Sequence, residues 1–156
     1  MTDADWDASL DPERMLSAAV GKVPDAALRL FAARCCRRVS KRLTDFWQRG
    51  IDVAERFARG EADGTELAAT LHALTADFEG IIESDNGEIH AAKEAVLAAL
   101  RPDSPFDPRE AARAASRSMG AEYDNEWAER EEQCWQAGAI HGMFTDQLRR
   151  SGRCAS

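Results

Sequence analysis

Six cations stand between Asp25 and Asp45 with no acid among them: Arg29, Arg34, Arg37, Arg38, Lys41 and Arg42. On a helix advancing about 100° per residue, all but Arg29 project opposite a stripe of Leu28, Phe31, Ala32, Cys35, Val39 and Leu43. A row of guanidinium groups is what a phosphate backbone meets. Arg34, Arg37, Arg38, Lys41 and Arg42 are therefore the residues expected to contact nucleic acid or another partner. The same face has a second destination in the chain's own acids. Glu122, Asp124, Glu126, Glu129, Glu131 and Glu132 crowd around the lone cation Arg130, and Asp3, Asp5, Asp7 and Asp11 crowd the N-terminus. The net charge of −8 repels phosphate, and no exposed aromatics interleave with the arginines as single-strand binders require.

The other reactive side chains assemble no reaction. Cys35 falls within the apolar stripe, where a thiol acts as a small hydrophobe. Cys36 lies at its edge beside Arg37, a cation that would favour the thiolate. Cys134 and His141 share a helix face two turns apart, too far for a direct hydrogen bond. His72, Glu79 and Glu83 share a polar side, and His90 pairs with Glu94 at i, i+4. The Glu-x-x-His and His-Glu-x-x-His spacings that bind metals on helices are absent, as are Arg-x₄-His and glycine-rich phosphate loops. No enzyme activity, metal or other cofactor is expected. Trp135, Ile140 and Met143 fall off the main stripe of the last helix and form an apolar patch suited to a partner, since tryptophan is enriched at binding hot spots.

These residues must be carried by helices. The 156-residue chain has 29 alanines against 16 residues of Val, Ile and Thr together, which argues against a β-sandwich or barrel. Asp11-Pro12 starts a helix that Gly21 stops. Pro24-Asp25 starts a second over about 26–43. Thr44 or Asp45 caps a third, which ends at Gly60. Thr65 caps a fourth over about 66–83, with Leu67, Leu71, Leu74, Phe78, Ile81 and Ile82 on one face. Ser84-Asp85-Asn86-Gly87 is a turn. Ile89, Ala92, Val96 and Leu100 align in a fifth over about 88–100. After a proline-containing linker at 101–107, Asp107-Pro108 opens a helical pattern that runs to about Arg150 with a bend near Gly120. Its stripe is Met119, Tyr123, Trp127, Cys134, Ala137, His141, Phe144 and Leu148. The expectation is an all-α, single-domain bundle of five to six helices with a long C-terminal helix. An acidic N-terminal segment at 1–10 and a flexible tail at 151–156 flank it.

Several stretches resemble a bacterial helical domain of unknown function that recurs in many paralogous copies. They are Trp6, Asp11-Pro12, Met15-Leu16, Gly21-Lys22, Leu28-Arg-Leu-Phe-Ala32, Cys35-Cys-Arg-Arg38 and Val53-Ala-Glu-Arg-Phe-Ala58, with 135–144 similar to the last helix of that domain. The string Leu-Arg-Leu-Phe-Ala-x-x-Cys-Cys-Arg-Arg is the most specific part, and 61–106 departs from the pattern. The resemblance implies a helical module found next to other domains and brings no catalytic residues.

The expected function is a non-enzymatic protein-interaction module or accessory subunit of a larger bacterial assembly. The alternative is a small helical subunit touching nucleic acid through its basic helix, as in a ribonucleoprotein defence complex. No apolar run spans a membrane and the first eleven residues lack an apolar leader. With no Cys-x-x-Cys pair, reduced thiols in the cytoplasm are expected.

Overall fold

The computed structural model describes residues 1–80, 87–123 and 126–151, with backbone alone at 122 and 123. The described residues form eight α-helices and no strand. These are α1 (Asp3–Ala8), α2 (Pro12–Ala19), α3 (Asp25–Val39), α4 (Asp45–Ala58), α5 (Gly64–Gly80), α6 (Gly87–Ala99), α7 (Arg109–Tyr123) and α8 (Glu126–Arg150). A single 3-10 turn, Ser40–Arg42, follows α3. Ile81, Ile82 and Glu83, the predicted turn at 84–86, the side chains of Glu122 and Tyr123, Asp124, and residues 152–156 with Cys154 lie outside the described residues.

The all-α class and the long last helix hold, but five to six helices is too few. The acidic segment at 1–10 contains α1. Thr2 accepts from the Asp5 backbone N–H at 3.1 Å while the Asp5 carboxylate accepts from the Thr2 N–H at 3.0 Å, a reciprocal cap. Trp6 then locks the short helix down: it is 2% exposed and its indole N–H donates to Thr145 Oγ1 at 2.9 Å. The predicted last helix is two helices, and Gly120 lies inside α7 with no break there. The predicted second helix ends at Val39. Ser40 Oγ donates back to the Arg37 carbonyl at 2.8 Å, and Gln48 donates to the Ser40 and Leu43 carbonyls at 3.0 Å, so the last turn tightens to 3-10.

α3 runs through the centre and touches α4, α6, α7 and α8. Leu28, Phe31, Ala32, Ala33, Cys35, Cys36 and Val39 are all fully buried, so its apolar girdle is wider than one stripe. The alanine excess has a concrete use. Ala91, Ala92, Ala95, Ala98 and Ala99 of α6 and Ala111, Ala112, Ala114 and Ala115 of α7 are buried, and these two helices share the most extensive contact of any pair among the described residues. Gly50 serves the same end on α4, since a Cβ there would stand 2.5 Å from Leu74 Cδ1 and 3.1 Å from Val96 Cγ1.

The linker after α6 is strapped to α3. Asp25 accepts from Ser104 Oγ at 2.8 Å and from the Phe106 N–H at 3.0 Å. Arg29 is 5% exposed and donates to the Arg101 and Asp103 carbonyls at 2.6 and 2.9 Å. Its guanidinium sits between the rings of Phe106 and Phe57, at 4.2 and 5.0 Å from their centroids.

The predicted stripe of α8 holds only in its C-terminal half. Ala137, Phe144 and Leu148 are buried and His141 is half-buried, but Trp127 is 66% exposed and Cys134 is exposed. The inward face of the first half is instead Ala128, Glu132, Gln136 and Ile140, at a spacing of four. Polar residues at two of those positions hide the buried face from a hydrophobic count.

Candidate functional site

The basic face of α3 is largely met by carboxylates from other helices. Arg37 Nε donates to Glu55 Oε1 at 3.0 Å and its terminal nitrogen to Glu55 Oε2 at 3.1 Å, with Asp52 as a further partner. These hydrogen bonds hold the Arg37 pKa above that of a free guanidinium. Arg38 Nε donates to Glu132 Oε2 at 2.6 Å, and its guanidinium stacks 4.2 Å over the Trp135 ring. The Arg42 side chain is 5% exposed, with Nε 3.9 Å from Glu88 Oε2. Lys41 and Arg34 are exposed, and Arg34 carries no ion pair or hydrogen bond among the described residues. The structure thus brings Arg37, Arg38 and Arg42 to the chain's own acids and leaves Arg34 without such a partner among the described residues.

Glu132 is the acid that reaches deepest. It is fully buried, and burial pushes its carboxyl above the ordinary value of 4.5 against the pull of Arg38, Gln136 and Arg42. Gln136 extends the chain of polar contacts, donating to the Ala112 carbonyl, to Ser116 Oγ and to Glu132 Oε1 at 3.0, 3.1 and 3.3 Å. Sequence reasoning missed this network. The four-residue spacing from Glu132 through Gln136 to Ile140 was its available signal.

The apolar patch predicted at Trp135, Ile140 and Met143 is not a continuous surface. Ile140 is fully buried, because it lies in register with Gln136 and Phe144 on the inward face of α8. Trp135 and Met143 are half-buried against the core, with Trp135 under Arg38.

The thiols of α3 offer no nucleophile. Cys35 and Cys36 are wholly buried; burial drives the Cys35 pKa well up and that of Cys36 to about 12, so desolvation outweighs the Arg37 charge expected to favour the thiolate. His141 Nε2 lies 3.2 Å from the Ser9 carbonyl and its ring meets Trp6 edge-on at 5.6 Å. His72 is exposed; His90 is exposed too, with Nε2 3.7 Å from Glu94 Oε1 and its ring 4.7 Å from that of Phe78. Among the described residues, no three His, Cys, Asp or Glu side chains group as metal ligands, and no helix is long and apolar enough to cross a membrane.

No family model matches the chain, and neither does any curated protein or solved structure.

Proposed function

We propose that the chain is a non-enzymatic interaction module, a cytoplasmic accessory subunit of a larger bacterial assembly whose partner is a protein. One observation carries this reading. Trp127 is 66% exposed on α8, whereas Trp6 and Trp47 are 2% and 1% exposed and Trp135 lies under Arg38. An indole offers one of the largest apolar areas any side chain can bury on association, and it is the residue type most enriched at hot spots. The internal pairing of Arg37, Arg38 and Arg42 weighs against nucleic acid as the main ligand of α3.

The test is capture by the tagged full chain, comparing wild type with Trp127→Ser at matched circular dichroism. A protein held by wild type and lost from the variant supports the reading. Equal recovery by both overturns it. An electrophoretic shift with nucleic acid at low salt, abolished by Arg34→Glu with Lys41→Glu, overturns it in favour of the nucleic-acid alternative.

A further inference from the structure

Among the described residues four large apolar side chains are exposed: Met1, Leu10, Phe46 and Trp127. Met1 and Leu10 flank α1, whereas Phe46 and Trp127 stand on helices. Phe46 edges an open groove of about 380 Å³ between α4 and α5. Gly50 and Val53 of α4 and Ala69, Ala73 and Leu74 of α5 complete its apolar lining. The groove is open because α5 has short side chains on this side. Of its seventeen residues only Leu67 and Leu74 are buried, and Ala69 and Ala73 are exposed. The one charged residue lining the groove is Arg49. It is exposed and has no ion pair or hydrogen bond among the described residues. Asp52, one turn on, is taken by Arg37. Asp45, one turn back, lies in the first turn of α4, where the helix N-terminus favours a carboxylate. The groove thus offers apolar surface beside a positive charge.

The first half of α8 carries the opposite pair of features. Trp127 is 66% exposed. Glu131, four residues on and so on the same face, is exposed and has no ion pair or hydrogen bond among the described residues. Glu126 faces Arg130 at 3.8 Å and Glu129 lies against Gly120 of α7, so Glu131 is the acid that stands beside the indole. α8 packs on α2, α3 and α7, whereas α4 and α5 pack on each other and on α3 and α6. The indole and the groove are therefore apart within one chain and can meet only between copies.

We propose that a second copy of this chain occupies the α4–α5 groove, with Trp127 of one copy against Phe46, Val53 and Ala73 of the next and Glu131 beside Arg49. The indole supplies the apolar area that such a contact needs, and the carboxylate meets the groove's own cation. The contact joins two different patches, so each copy keeps one groove and one indole for a further neighbour, and association does not stop at two. The use of Trp127 rests on the interaction-module reading; the second copy is the partner it names.

The experiment is sedimentation velocity on the full chain under reducing conditions, so that exposed Cys134 forms no disulfide. The concentration runs from about 10 μM to about 1 mM, which covers a contact smaller than a standard interface. Wild type should gain mass with concentration and pass beyond a dimer. Trp127→Ser removes the indole, and Ala73→Glu fills the groove with a side chain that repels Glu131. Each alone should weaken association at least about tenfold at unchanged thermal stability. An equimolar mixture of the two keeps one intact groove and one intact indole between them, and should form a 1:1 dimer and nothing larger. Arg49→Glu and Glu131→Arg should each weaken association at least about threefold, and mixing them should restore it. A wild type that stays monomeric, indifference to Ala73→Glu, or mixtures no better than their components overturns the proposal. A monomeric wild type with Trp127-dependent capture of another protein removes the second copy and leaves the interaction-module reading. Self-association as expected, with equal capture by wild type and Trp127→Ser, keeps the contact between copies and removes the accessory-subunit reading.

Discussion

Arg29 belongs to the cationic run of α3 by sequence, yet its guanidinium closes the fold, so replacing it measures how strongly the linker is held. The two donations to the Arg101 and Asp103 carbonyls are charge-assisted, but both acceptors sit on an exposed linker that water can reach. Each bond is therefore taken at the low end, about 1.5 kcal/mol, or about 3 kcal/mol for the pair. The faces of Phe106 and Phe57 add about 1–2 kcal/mol. Burial disfavours the charge and lowers the Arg29 pKa, so removing it returns part of that sum, on the order of 1–2 kcal/mol. Arg29→Ala is expected to destabilise by about 2–4 kcal/mol in urea unfolding, and Arg29→Lys, which keeps the charge and loses the fork, by about 1–2 kcal/mol. Hydrogen exchange at the Phe106 amide should accelerate in both, since that amide is bonded to Asp25 on the same strap. A double-mutant cycle with Asp25→Ala should show a coupling of about 0.5 kcal/mol or more. An Arg29→Lys protein within about 0.5 kcal/mol of wild type, the range of an ordinary surface change, would refute the strap.

Thiol chemistry and acid titration read two other parts of the core. In a Cys154→Ser background, an aromatic disulfide reagent should label Cys134 rapidly in the native chain, and Cys35 and Cys36 only after denaturation; fast native labelling of either would show that α3 opens. Glu132 holds its proton more tightly in the folded chain than in the unfolded one, so its contribution is complete below pH 4.5 and is lost as pH rises through the folded value. Measured against Glu132→Gln, wild-type unfolding free energy should fall as pH climbs from 4.5, and a rise would mean that Arg38 and Arg42 outweigh burial.

Helix class and most boundaries were legible because they depend on local chemistry. Asp11 before Pro12 caps α2 as read, and Gly21 and Gly60 take the positive φ of 75° and 74° that end α2 and α4. α1 was legible in principle, since Thr2 and Asp5 have capping-box spacing, but six residues with one buried side chain leave no periodicity to count. The register of α8 was not legible. Trp127 and Cys134 look like core residues by type, and Glu132 and Gln136 look like solvent residues. The inversion is stable only because Arg38 and Ser116, distant in sequence, supply the partners. Of the site, the arginines were found and their destinations were not, because an ion pair between α3 and α4 or α8 depends on packing that no single-helix pattern contains.

The charge of α3 in sequence is thus a poor guide to the field a ligand meets. Arg37, Arg38 and Arg42 reach carboxylates on α4, α8 and α6, and Arg29 reaches the linker, so four different elements absorb most of the run. The salt dependence of any nucleic-acid binding would count what remains. Five phosphate contacts from Arg34, Arg37, Arg38, Lys41 and Arg42 would give a log–log slope of about −4.5, whereas Arg34, which carries no ion pair or hydrogen bond among the described residues, would alone give about −0.9. The shallow slope is what the packing dictates unless phosphate displaces Glu55 and Glu132 from their arginines. That exchange would leave Glu132, fully buried, without its cation. A steep slope would therefore have to come with loss of stability, and binding that is both steep and stabilising would show that the ion pairs of α3 open without cost to the fold.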